Sequence, residues 1–247
     1  MATLITLLTD FGTADNYVGE VKGVLLSRVH GVVLADITHQ VAPGDVRAAQ
    51  YILSRVWQRF PQGTVHLAVV DPGVGTDRRA LAAQTAGHFF VAPDNGLLSF
   101  LGADAHFVSL PVPPHAAPTF HARDLFAPAA GQLALGASLS QLGQPITDPY
   151  RAPLPPARHD GAAVVGEVIY VDRFGTLISN IAGEAVEPGV RIRVAGTEIG
   201  PLSRTFGDVR RGVLVAVVGS GGTVEIAVRD GSAARMLGVG VGAEVRA

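Results

Sequence analysis

The amino-acid sequence predicts two domains, an N-terminal α/β domain with a mostly parallel sheet and a small all-β, barrel-like C-terminal domain. Three observations carry this. Strand-like and helix-like apolar patterns alternate over the first part of the chain. A tract with Pro149, Pro153, Pro155 and Pro156 then interrupts it. Beyond that tract only short strand-like runs recur, separated by glycine-rich breaks.

In chain order, Leu4–Thr9 is an apolar run fit for a buried strand, and Tyr17, Val18, Val21, Val24 and Leu25 follow at helical spacing. Residues 32–37 form a second strand candidate. Asp45 has the position of an N-cap, with Val46, Ala49, Ile52, Leu53 and Val56 on one helical face behind it. Residues 64–70 and 88–92 add strands, and 124–135 a helix. Strand, helix, strand, helix, strand implies right-handed crossovers and parallel pairing. The expected division is 1–148 for the α/β domain, 149–159 for the linker and 160–247 for the barrel. In that last part Ala163–Val171 and residues 190–194, 213–218 and 224–228 read as strands.

Composition narrows the function. Hydrophobic residues make up 48% and charged ones 16% of 247 residues, which excludes a disordered chain. A formal charge of −2 excludes a strongly basic surface, so no nucleic-acid partner is expected. The lack of cysteine excludes thiolate nucleophiles and cysteine-ligated metals and fits a cytoplasmic protein. Residues 1–10 lack a basic n-region and read as a strand rather than a signal peptide. No apolar run reaches the roughly 20 residues that span a bilayer, so no membrane association is expected.

Ligands of open parallel sheets bind outside the carboxyl ends of the strands. Asp10, Asp36 and Asp71 each end a predicted strand there, although any one of them serves equally well as a turn or helix cap. Asp71-Pro72-Gly73-Val74-Gly75-Thr76 is more specific: Pro72 fixes one dihedral, and the glycines permit positive φ and close approach of a ligand. Arg78 and Arg79 follow, near enough for a guanidinium to hold the Asp71 carboxylate ionised. His121, just before a predicted helix, is a candidate base or orienting group. Asp172-Arg173-Phe174-Gly175-Thr176 places an acid beside an aromatic, able to hold an amine and stack on a flat ring. A dinucleotide G-x-G-x-x-G after the first strand, a G-x-x-x-x-G-K-[ST] loop, H-E-x-x-H and G-x-S-x-G are all missing, which leaves redox, kinase and serine-hydrolase readings without support.

Several segments together resemble the S-adenosylmethionine hydroxide adenosyltransferase family, relatives of the fluorinases and chlorinases. They are Thr9-Asp10-Phe11-Gly12, Asp36-Ile37-Thr38-His39, the stretch 65–76 ending in Asp71-Pro72-Gly73-Val74-Gly75-Thr76, Ala92-Pro93-Asp94-Asn95-Gly96, the stretch 119–129 around His121, the stretch 171–180 around Asp172, and Val224-Glu225-Ile226-Ala227-Val228. The resemblance implies hydrolysis of S-adenosyl-L-methionine to adenosine and L-methionine, by in-line attack of water at ribose C5′ and with no cofactor or metal. It also implies a homotrimer, with the site at the subunit interface. The catalytic acid, guanidinium and imidazole fall on Asp71, Arg78 and His121. Asp10 with Phe11 falls on the ribose side, Asp172 on the methionine amine, Phe174 and Thr176 on the adenine, and Ser220 on the methionine carboxylate. The family often has Asn at Thr176 and Gly at Ala122, and the halogenases have Arg at Gly221. Halogenases also carry Tyr and Thr at Asp71 and Val74, and an ionised aspartate repels a halide, which favours water as nucleophile. A chlorinase-like halogenase, a non-catalytic sensor of S-adenosylmethionine or adenosine, and an enzyme for another sulfonium nucleoside are the alternatives.

Overall fold

The computed structural model describes residues 3–247, so the first two residues of the segment read as non-signal lie outside it. The chain divides into two compact units, the first ending at Pro153 and the second comprising Leu154–Ala247.

The first unit contains β1 (Leu4–Thr9), α1 (Tyr17–Arg28), β2 (Val33–Thr38), α2 (Val46–Val56), β3 (Val65–Val69), β4 (Ala80–Thr85), β5 (His88–Pro93), β6 (His106–Leu110), α3 (Ala127–Ala134), α4 (Leu139–Leu142) and β7 (Gln144–Ile146). Asp45 caps α2 as its position predicts, with its Oδ1 accepting the Ala48 N–H at 2.9 Å. Sheet order is β2-β1-β3-β5-β4-β6-β7. The pairs β2–β1, β1–β3 and β3–β5 are parallel, whereas β5–β4, β4–β6 and β6–β7 are antiparallel. The sheet is therefore mixed, which corrects the expectation of a mostly parallel one. The physical reason lies in β4. Its sequence Ala-Leu-Ala-Ala-Gln-Thr has one β-branched residue and gives little strand signal. Ala86 and Gly87 then both take positive φ, 46° and 77°, which is the twist of a tight hairpin. That hairpin reverses the chain and seats β4 between β5 and β6.

One face of the sheet buries Ile5, Leu7, Val65, Leu67 and Val69 against Val21 and Leu25 of α1 and Leu133 of α3. Each such side chain contributes roughly 1.5–3 kcal/mol on leaving water. Residues of alternate parity point to the other face. There Thr6, His66 and Phe90 lie in register across β1, β3 and β5. Thr6 Oγ1 is 2.8 Å from His66 Nδ1, and His66 Nε2 is 3.2 Å from His88 Nδ1.

The second unit contains β8 (Arg158–Asp160), β9 (Ala163–Val171), β10 (Leu177–Ala182), β11 (Arg191–Val194), β12 (Thr197–Ser203), β13 (Leu214–Val218), β14 (Thr223–Val228), α5 (Ala233–Leu237) and β15 (Glu244–Arg246). The order β10-β14-β13-β12-β11-β15-β9 is closed by β9–β10 pairing into a barrel, with β8 added outside β9. Val168, Leu177, Ile181, Ile192, Val224 and Ile226 fill it. Within β10 the Asn180 side chain accepts the Glu167 N–H and donates to the Pro155 carbonyl, each at 2.8 Å.

Burial first, and His88 second, push His66 down to about 3. The unfolded chain takes up a proton at the ordinary histidine value while the folded one does not. Stability is thus fully present above about pH 6.5 and falls as pH drops toward 3. We expect His66 alone to cost on the order of 2 kcal/mol at pH 5 relative to pH 7, read as a falling urea midpoint. His66→Phe should flatten that slope, and an unchanged slope would refute the assignment.

Candidate active site

The loops after β1, β2 and β3 and the segment before α3 bring the site residues together. A cavity of about 330 Å³ opens there, lined by Asp10, Phe11, Gly44, Asp71, Phe120 and His121 among others. Asp10 directly follows β1, and its Oδ2 accepts the Gly44 N–H at 2.8 Å. Asp71 follows β3. Asp36 is not on this rim, because β2 runs on to Thr38 and Asp36 lies opposite Leu7. It pairs instead with Lys22 Nζ at 2.7 Å and approaches His39 Nε2 at 3.2 Å.

The turn after β3 explains its glycines. Only Gly75 takes positive φ, 78°, and a Cβ there would meet the Pro118 carbonyl at 2.5 Å. Gly73 does not use that freedom and has an ordinary φ. The turn carries the chain back so that Arg78 faces Asp71. Arg78 Nε donates to Asp71 Oδ1 at 2.9 Å, and Nη2 also reaches Asp71 Oδ2. The same Nη2 stands 2.9 Å from His121 Nδ1. The guanidinium carbon lies 5.2 Å from the Phe126 ring centre, a cation–π contact. Arg79, by contrast, turns away to Asp94 and Asp148 and takes no part.

His121 sits immediately before a π-helical turn, Ala122–Phe126, where a regular helix was expected from residue 124. Pro128 has no N–H, so the α-type bond to the Asp124 carbonyl is lost, and the Ala127 N–H closes a wider turn on the Ala122 carbonyl. Arg123 then pairs with both Asp124 and Glu20, tying this turn to α1. Asp124 is held down to about 2, chiefly by its hydrogen bonds from Arg123.

The protonation of His121 follows from its partner. Arginine only donates, so His121 Nδ1 accepts, and a neutral ring carries its proton on Nε2. Burial first, and the Arg78 charge second, hold the imidazole below its usual range, against the opposing pull of Asp71 and Asp124. Side chains of Asp71 and Arg78 are only 5% and 10% exposed, so their interaction is little screened by water. One donor, Arg78 Nη1, is buried without a partner.

Of the sequence-predicted residues, Asp10, Phe11, Asp71, Arg78 and His121 gather in the first unit. Asp172, Phe174 and Thr176 share one turn of the second unit, where Asp172 Oδ1 accepts the N–H groups of Phe174 at 2.9 Å and Thr176 at 2.8 Å. Phe174 is 77% exposed, whereas Thr176 is buried. Ser220 lies in the β13–β14 turn, which meets the far end of β10 through the Gly183 N–H to the Gly222 carbonyl. Sequence reasoning gave Gly44 and Phe120 no role. The Pro43-Gly44-Asp45 turn was the available signal for the first. Phe120 was visible only as an aromatic beside His121, and it packs 6.0 Å from the Phe11 ring.

The fold and site define a two-domain protein with a buried acid–guanidinium–imidazole cluster at the carboxyl edge of an α/β sheet. Residues 5–143 match the SAM hydroxide adenosyltransferase N-terminal domain, and residues 166–246 match the C-terminal domain of the same family. The chain belongs to the SAM hydroxide adenosyltransferase family. A Thermus thermophilus protein named (R)-S-adenosyl-L-methionine hydrolase is 42% identical, the match covering 98% of each chain. An Actinoplanes fluorinase is 29% identical over 83% of each. A crystal structure of a conserved Thermotoga maritima protein superposes with a TM-score of 0.91 at 36% identity, covering 98% of both chains.

Nitrogen-15 NMR at pH 7 should show His121 neutral with its proton on Nε2; a charged ring or an Nδ1–H form would overturn the assignment. Arg78→Lys keeps the charge but cannot bridge Asp71 and His121. It should lower stability by roughly 1–3 kcal/mol, measured by thermal or chemical denaturation.

Proposed function

We propose that this chain hydrolyses S-adenosyl-L-methionine to adenosine and L-methionine. The observation that carries this reading is the Arg78 guanidinium bridging Asp71 and His121, two residues that line the cavity. The sulfonium is a ready leaving group, since it departs as a neutral thioether, and no strong acid is required. The barrier lies in the nucleophile, because bulk water has a pKa of about 15.7.

Water would attack C5′ in line with the C5′–S bond. The new C5′–O bond forms as that bond breaks, and its electron pair goes to sulfur. Sequence alone left the base open between Asp71 and His121. The Arg78 N–H occupies the one lone pair of the neutral His121 ring, which favours Asp71 as the proton acceptor. His121 would then steady the water by donating from Nε2, while Arg78 fixes the geometry of both. Asp10, held by the Gly44 N–H, would accept the ribose hydroxyls, with Phe11 beside it. The balance closes without a cofactor.

The remaining recognition groups would be Asp172 for the methionine amine, Phe174 and Thr176 for the adenine, and Ser220 for the methionine carboxylate. The 77% exposed Phe174 ring supports a surface that is covered on assembly. We expect a homotrimer in which these groups of one subunit meet the cavity of its neighbour, and a cytoplasmic location. No described helix is long and apolar enough to cross a membrane.

Incubation with S-adenosylmethionine in oxygen-18 water should yield adenosine carrying the solvent oxygen, together with methionine, by chromatography and mass spectrometry. A chloride-dependent 5′-chloro product would favour the halogenase, and binding without product would favour a sensor. Asp71→Ala should lower kcat by 10²-fold or more, in line with loss of a general base, while substrate binding stays detectable by calorimetry.

A further inference from the structure

The Asp36-Ile37-Thr38-His39 segment is left without a task by the proposed chemistry, yet it holds a buried polar chain. His39 is 5% exposed and Thr9 2% exposed. His39 Nδ1 is 2.8 Å from Thr9 Oγ1, and Thr9 Oγ1 accepts the Phe11 N–H at 3.3 Å. On the other side of the ring, Nε2 faces Asp36 Oδ1 at 3.2 Å, off the line of a full hydrogen bond. Asp36 is in turn bonded to Lys22 at 2.7 Å. The His39 carbonyl also accepts the Gly12 N–H at 2.7 Å.

Carboxylates only accept, so the proton of a neutral His39 faces Asp36 and its Nδ1 accepts a hydrogen bond from the Thr9 hydroxyl. Thr9 is then directed to accept from Phe11. The order carboxylate, imidazole, hydroxyl is also that of an activated nucleophile. Thr9 cannot serve as one, because it is buried outside the cavity lining and its oxygen is engaged by Phe11. What the chain does control is the turn Thr9-Asp10-Phe11-Gly12, gripped at Thr9, Phe11 and Gly12 on either side of Asp10.

We propose that His39 is a positioning residue that aims the Asp10 carboxylate at the ribose hydroxyls of the bound nucleoside. This rests on the nucleoside-binding reading above. A buried hydrogen-bonded imidazole between two loops is well suited to this, because a shift of about 1 Å in a binding group is costly.

The test measures dissociation constants for adenosine and 2′,3′-dideoxyadenosine by calorimetry, on the full chain, with thermal melting alongside. Wild type should bind adenosine more tightly than the dideoxy compound. His39→Leu should weaken adenosine about tenfold and leave the dideoxy compound within about twofold, since only the former uses Asp10. His39→Asn, whose amide oxygen can still accept from Thr9, should recover adenosine binding to within about threefold of wild type. If His39→Leu does not fold, the nearly isosteric Thr9→Val decides, with the same expected pattern. Equal weakening of both ligands means a merely structural role and overturns the inference, as does unchanged adenosine binding. A wild type that does not distinguish the two nucleosides overturns the ribose reading, and this inference with it.

Discussion

A guanidinium clamped between a carboxylate and an imidazole is the constraint on which the site depends. Arg78 uses its fork on Asp71 and its remaining Nη2 proton on His121, so three groups from two loops hold one arrangement. Burying an ion pair contributes little net stability, since desolvation offsets most of the attraction. Removing one partner is expensive, however, because it leaves the other charge buried and unpaired. The pair therefore resists change without being a source of much stability. What it provides is fixed geometry and a fixed direction for the hydrogen bonds among the three groups.

The surrounding fold serves that geometry. Gly75 lets the loop after β3 pass against Pro118 and return Arg78 to Asp71. A wide turn enforced by Pro128 sets the phase of the chain just after His121, and Arg123 anchors it to Asp124 and to Glu20 on α1. Beneath the Asp10 loop, the His39–Thr9 chain supplies a second polar brace. Mixed pairing in the sheet costs the site nothing, because β4 to β7 extend the sheet away from β1 and β3, the strands that carry Asp10 and Asp71.

Much of this was legible beforehand because the signals were local. Asp71 and Arg78 lie seven residues apart across a Pro–Gly turn, near enough for pairing to be expected. Asp10 ends an apolar strand, and Asp45 announces a helix start. Other features had no local signal. The alanine-rich β4 reads weakly in any propensity scale, so the antiparallel hairpin and the mixed sheet went unseen. Asp36 carries no local mark that sets it apart from a rim acid, whereas β2 continues to Thr38 and Asp36 pairs with Lys22.

The sequence by itself determined the two-domain plan, the parallel β1–β2–β3 block and the family to which the chain belongs, since periodicity, turn chemistry and ordered motifs are properties of neighbours along the chain. Only tertiary structure decided that His121, 43 residues beyond Arg78, accepts a hydrogen bond from its guanidinium, which leaves the proton of a neutral ring on the other nitrogen. It likewise decided that His39 reaches Thr9 across 30 residues. Hydrogen-bond direction depends on which donor arrives at which acceptor, and such meetings are fixed by packing rather than by spacing.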